Sequence, residues 1–170
     1  MIDIRKGDVF CSDHPGAKLG ALIKGVQAFW SKDGEAKYAH SGIFASCEET
    51  FEALWTVRKQ NFLDTYSGSN VLIARPLAPV SLKVAVVDEM IEEYIGEKYP
   101  WWRLLLHLFP PAARISLLKR PVCSELTADY LRRIGVRPYH WAGTTPDYLA
   151  DEWVQWKRFD VIFSGKVIKK

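Results

Sequence analysis

The chain has 170 residues, of which 48% are hydrophobic, 25% charged and 13% aromatic, and its formal net charge is +3. That length suits one domain, residues 1–170, and is enough to close a core without metal or disulfide staples. The composition excludes disorder, collagen and a simple coiled coil, and the even spread of charge, with no basic tail or stripe, argues against nucleic-acid binding.

Met1-Ile2-Asp3-Ile4-Arg5-Lys6 has charges but no apolar run behind them, so no signal peptide is expected. No stretch of about 18 apolar residues occurs, so no bilayer span is expected. Gly7 to Cys11 reads as a short first strand after a turn. Leu19, Leu22, Ile23, Val26, Phe29 and Trp30 recur at helical spacing and predict an amphipathic helix over 18–30. After a polar loop at 31–37, His40 to Phe44 and Glu48 to Trp55 read as two strands with a short turn between. Val71 to Arg75 reads as a third, closed off by Pro76 and Pro79. Ser81 is a candidate cap for a helix with Val84, Val87, Ile91 and Tyr94 on one face, ending at Gly96.

Next comes Tyr99-Pro100-Trp101-Trp102, then an apolar run from Leu104 to Phe109 broken by Pro110-Pro111. Leu126, Thr127, Tyr130, Leu131 and Ile134 predict a helix that Gly135 ends. Thr145-Pro146-Asp147 is a strong helix start: a cap, a proline in the first turn, and an acid near the positive end of the dipole. Residues 158–163 and 165–169 read as two late strands around Ser164-Gly165. The order of strand, helix, a block of strands, helices, then strands is α+β rather than a βαβ alternation.

The three cysteines, Cys11, Cys47 and Cys123, are an odd number at wide spacing with no CxxC pair. This argues against a disulfide framework or a cysteine zinc site and for a reducing, cytoplasmic compartment. Cys123 falls at the start of a predicted helix, where unpaired backbone N–H groups and the macrodipole favour the thiolate that attacks carbonyl carbon. The alternative is that it packs in the core, as free cysteines often do. A thiolate nucleophile needs a base and a group to orient that base. The histidines available are His14, His40, His107 and His140. If the hairpin turns at Ala45-Ser46-Cys47, His40 stands directly opposite Glu52, with Cβ atoms about 4.5–5.5 Å apart. A one-residue slip would separate the two. Cys11 reads as core and Cys47 as a turn residue. Asp13, His14, His40 and Glu52 are metal-ligating types, but no HxxxH or HxH spacing supports a metal, and no cofactor is expected.

His40-Ser41-Gly42-Ile43, Phe51-Glu52-Ala53 and Val122-Cys123-Ser124-Glu125-Leu126 together resemble the circularly permuted branch of the NlpC-type papain-like cysteine hydrolases. This group includes the bacterial YiiX and YebB-like proteins and, more distantly, lecithin:retinol acyltransferase-like enzymes. Histidine precedes cysteine by 83 positions, which matches the permuted order. Gly7-Asp8-Val9, Leu72-Ile73-Ala74-Arg75-Pro76, the Gly96 to Tyr99 step and Thr145-Pro146-Asp147 resemble further pieces of the family, so the likeness runs from about residue 7 to about residue 150.

The resemblance implies a papain-like fold in permuted order, with an antiparallel sheet or small barrel packed on helices, and a bacterial or bacteriophage source. It implies Cys123 as nucleophile, His40 as base and Glu52 as orienter, with an acyl-enzyme intermediate. The backbone N–H of Cys123 is the natural oxyanion donor; Tyr99 is a second candidate. Trp102 and its apolar neighbours are candidates to line an acyl-binding cleft or touch a membrane surface, or they close the core. The substrate class implied is a small peptide, amide or acyl lipid. The rival reading is a non-catalytic lipid- or peptide-binding module on the same fold. Oligomeric state is not readable from the sequence.

Overall fold

The structure, a computed structural model, describes residues 2–13, 36–98, 122–138 and 144–169. The predicted helix over 18–30, the segment holding Tyr99 and Trp102, and His14, His107 and His140 lie outside the described residues. Six strands make one open sheet in the order β4-β3-β2-β1-β5-β6: β1 (Val9–Ser12), β2 (His40–Phe44), β3 (Glu49–Ala53), β4 (Val57–Asn61), β5 (Asn70–Pro76) and β6 (Phe159–Lys166). Every pairing is antiparallel. The helices are α1 (Phe62–Tyr66), α2 (Val80–Tyr94), α3 (Cys123–Arg133) and α4 (Pro146–Gln155). The chain is therefore α+β, an open antiparallel sheet packed against helices. Among the described residues no helix is long and apolar enough to cross a membrane.

The sheet is covered on both faces, because its central strands are apolar at successive positions rather than at alternate ones. One face carries Val9, Cys11, Ile43, Phe51, Ala53, Leu72 and Ala74 against apolar side chains of α2, α3 and α4. The other carries Phe10, Phe44, Val71 and Ile73 against Phe62 and Tyr66 of α1. These last two are four apart and so share one side of a short helix. Asn61 caps α1 by accepting from the Asp64 N–H, and the Phe62 N–H is held by the Glu48 carbonyl at 2.8 Å.

α3 starts at Cys123, with Val122 extended before it. The Glu125 carboxylate accepts the Val122 N–H at 3.1 Å, one half of a capping box. Its far end closes as a Schellman turn: Gly135, at φ 74°, follows Ile134, and Val136 N–H returns to the Leu131 carbonyl. α4 starts as its sequence predicts, with Thr145 accepting from Tyr148 N–H and Pro146 in the first turn.

Several expectations are corrected. α2 begins after Pro79, not at Ser81, and buries Lys83, Val86, Val87 and Met90; Ile91 and Tyr94 only flank that stripe. The two late strands are one, because Gly165 stays paired with Val71 and the irregularity is a bulge opposite Ile73/Ala74. β4 and α1 have no counterpart in the sequence reading. β4 is an edge strand, Val-Arg-Lys-Gln-Asn, largely solvent-facing and without apolar alternation.

Two pieces of the family resemblance turn out to be one interaction. Arg75 donates from Nε and Nη2 to the two carboxylate oxygens of Asp8, at 2.9 and 2.8 Å. Asp8 is fully buried and also accepts the Arg5 N–H. This bidentate pair ties the entry of β1 to the end of β5. Removing one partner of such a pair strands a buried charge, at about 3–5 kcal/mol. Arg75→Ala is expected to lower unfolding stability in urea by about that amount, and Arg75→Lys to recover only part, since a lysine cannot bind both oxygens in plane.

Candidate active site

The β2–β3 hairpin decides the site. Ser46, Cys47 and Glu48 form its turn, with Ala45 N–H bonded to the Glu49 carbonyl and Ser46 Oγ accepting from Glu49 N–H. The register pairs Ile43 with Phe51 and Phe44 with Thr50. The expected direct opposition of His40 and Glu52 is thus corrected: Glu52 falls opposite Gly42, two positions along from His40. A shift of two keeps both side chains on the same face, whereas a shift of one would have parted them. Glu52 reaches His40 along the diagonal, and His40 Nε2 donates to Glu52 Oε2 at 2.5 Å.

Gly42 makes the diagonal possible. A Cβ there would lie 2.7 Å from the Phe10 ring and 3.0 Å from Glu52 Cβ. The three strands close in at a position with no side chain, and the space goes to the Phe10 ring and the Glu52 Cβ. Gly42→Ala is expected to cost about 1–3 kcal/mol in a urea melt, the usual range for overpacking, and to weaken the His40–Glu52 contact.

Glu52 is 0% exposed, and His40 6% and Cys123 5%, so the carboxylate is the inner end of the constellation. Two further donors meet it. Thr50, two residues back on the same strand face, donates its hydroxyl to Oε1, and Tyr66 of α1 donates its hydroxyl to Oε2. Neither was found from the sequence. Thr50 had a readable signal, the period of two within β3; Tyr66 had none, since α1 itself was not foreseen.

Cys123 reaches the same place from the other face of the sheet. His40 is the first residue of β2 and Cys123 the first of α3. Ser41 Oγ lies 3.2 Å from Thr127 Oγ1, one turn beyond Cys123, so the first turn of the helix is set against the start of the strand. Ser124 Oγ donates to the Thr144 carbonyl at 2.6 Å and holds the turn from its other side. The Cys123 side chain lies near enough to the His40 imidazole for its charge to act on the ring. With Nε2 given to Glu52, Nδ1 is the ring nitrogen left for the thiol. An α-helix leaves the N–H groups of its first turn without intrahelical acceptors, so the backbone at Cys123 can supply donors to an oxyanion. The other two cysteines are as expected: Cys11 is buried, its thiol donating to the Pro146 carbonyl at 3.2 Å, and Cys47 is exposed. Among the described residues no three His, Cys, Asp or Glu side chains group to hold a metal ion. No protein-family model matches the chain, and no curated protein matches it.

The electrostatics favour a charged pair. Burial alone would lower the His40 imidazole, but the Cys123 and Glu52 charges and the hydrogen bond to Glu52 push it up to about 10. Burial alone would raise the Glu52 carboxyl, but the His40 charge and the donors from His40, Thr50 and Tyr66 hold it below its ordinary 4.5. A raised histidine stabilises the fold fully below its unfolded value, 6.5, and the contribution is lost as pH climbs through about 10. A lowered carboxyl stabilises above 4.5, and its contribution is lost as pH falls through the folded value. The pair's stabilisation is therefore full between 4.5 and 6.5. Unfolding free energy measured against pH should fall off on both flanks. Cys123→Ala should move the upper edge down, because the thiolate is one of the charges that raise His40, and Glu52→Gln should flatten the acid flank.

Proposed function

We propose that the protein is a cysteine-dependent hydrolase acting on an amide or acyl-ester bond through Cys123, His40 and Glu52, on a papain-like fold of the permuted NlpC type. The observation that carries this reading is a helix-start thiol beside an imidazole whose Nε2 is held by a fully buried carboxylate. A core cysteine has no need of an oriented, charged partner. The permuted order is supported by the histidine strand preceding the cysteine helix, and by the Asp8–Arg75 pair that joins two of the resembling segments.

The chemistry follows from the roles. The Cys123 thiolate attacks the acyl carbon, forming an S–C bond and an oxyanion that the first-turn N–H groups face. As the carbonyl re-forms, the bond to the leaving amine or alcohol breaks, and His40 Nδ1 gives that group its proton. Neutral His40 then takes a proton from water, the resulting hydroxide attacks the acyl-enzyme, and the thiolate leaves. Throughout, Glu52 holds the Nε2–H and balances the imidazolium, which selects the tautomer the reaction needs.

Mass spectrometry after incubation with a panel of amide, ester and thioester substrates tests the reading, with an acyl adduct on Cys123 as the expected result. Cys123→Ala and His40→Ala should each lower turnover by roughly 10⁴-fold or more, since nucleophile and base act as a unit, and Glu52→Gln by less. Glu52→Gln keeps one oxygen for His40 but turns an N–H₂ toward Thr50 or Tyr66, so it should also melt earlier. No adduct on any acyl class, with His40→Ala leaving Cys123 reactivity unchanged, would overturn the hydrolase reading.

A further inference from the structure

We propose that Tyr66 is a positioning residue for the His40–Glu52 pair, acting through its hydroxyl on the carboxylate and through its ring on the imidazole; the proposal rests on the hydrolase reading above. Tyr66 closes α1 and is fully buried. Its hydroxyl donates to Glu52 Oε2, the same oxygen that receives the His40 Nε2–H. Its ring lies nearly parallel to the imidazole, with centroids 6.2 Å apart and planes 15° from one another. Phe10 packs on both, 4.9 Å from the Tyr66 ring and 6.2 Å from His40.

The plain structural reading is that Tyr66 fills an aromatic cluster. Its ring neighbours there, Phe10, Phe44 and Phe62, do that without a hydroxyl, and a buried phenol must find an acceptor. In this cluster the hydroxyl is directed at the group that orients the proposed base. Two consequences follow for His40. A donor fixed on Oε2 sets the plane of the carboxylate, and with it the tilt at which the imidazole offers Nδ1 to Cys123. The same donor makes the carboxylate less basic, so the shared proton stays on Nε2. Burial and the Glu52 charge both push the Tyr66 hydroxyl up, so it keeps its proton and remains a donor. The groups that face Glu52 are His40 from β2, Thr50 from β3 and Tyr66 from α1; Arg58 of β4 stands at its register partner position but is exposed, and Cys123 lies beyond His40.

The test uses the full chain and needs no substrate. Alkylation by iodoacetamide is followed at Cys123 and Cys47 by peptide mass spectrometry across pH, with exposed Cys47 as the internal reference. In the unmodified protein, Cys123 should react in a His40-dependent way. Tyr66→Phe keeps the ring and its volume. It should move the acid edge of the Cys123 profile up by about one pH unit, the loss expected when a buried carboxylate gives up one donor, and leave Cys47 unchanged. Phe62→Leu, in the same cluster, should lower the melting temperature without moving the edge. A Tyr66→Phe edge that coincides with the unmodified one overturns the proposal, as does an edge that Phe62→Leu moves equally. A Cys123 that is indifferent to His40→Ala overturns both this proposal and the hydrolase reading, whereas His40 dependence without a Tyr66→Phe shift overturns this one alone. Should Tyr66→Phe not fold, proton NMR of the unmodified protein decides. A slowly exchanging Tyr66 hydroxyl proton whose shift follows the acid titration supports the proposal, and rapid exchange with water overturns it.

Discussion

A carboxylate with no exposed surface has to be met by donors, and Glu52 is met by three. Taking the anion out of water costs several kcal/mol unless its lone pairs are used. The donors come from three elements, so the requirement reaches through the fold. β2 must present His40 on the same face as Glu52. β3 must place Thr50 two residues earlier on that face. α1 must turn back over the sheet to bring Tyr66 down on it. A change in any of these leaves a buried charge short of a partner, and the cost falls on stability and on the orientation of the imidazole together.

The sheet separates this arrangement from the rest of the core. His40, Gly42 and Phe44 alternate with Ser41 and Ile43, so the imidazole belongs to the face that α1 covers, while α3 packs on the other. Cys123 can meet His40 only where both faces end, which is why each residue is the first of its element. The Ser41–Thr127 contact then sets how far the helix slides along the strand. A second buried charge, Asp8 with Arg75, ties β1 to β5 and carries no reactive group. One buried pair holds the framework and the other holds the site, and the framework pair can be altered without touching the thiol.

Much of this was legible in the sequence, and what was missed has a common cause. β1, β2, β3, β5, α3 and α4 followed from apolar pattern, Gly135 and the Thr145-Pro146 start, all of which are local signals. The sequence pattern puts His40 and Glu52 on one face although it predicts the hairpin turn one residue early, because a shift of two in register conserves the face. The failures came where solvent or distant packing decides. β4 has no alternation because it is an edge strand. Ser81 has good cap chemistry but already lies within α2, because the chain leaves the sheet at Pro76 and the helix starts directly after Pro79. Ser164-Gly165 looks like a turn, but pairing with Val71 keeps it extended. Tyr66 was invisible because its role depends on α1 folding over a sheet whose register must first be known.

The three cysteines show how far environment, rather than residue type, sets the chemistry. Cys11 is on a central strand, with burial first and the Cys123 charge next pushing its thiol up, and it donates to a backbone carbonyl. Such a thiol is a small apolar side chain with one weak donor. Cys47 sits exposed in the β2–β3 turn, where solvent reaches it and no packed element surrounds it. Cys123 has a helix start behind it and an oriented imidazole before it. Only this third setting places a helix start beside an oriented imidazole, and it exists because α3 begins against the start of β2. The register of a single hairpin therefore reaches the surroundings of a sulfur atom some 70 residues away: if β3 slipped by one, Glu52 would leave the face, and the imidazole beside Cys123 would lose its carboxylate.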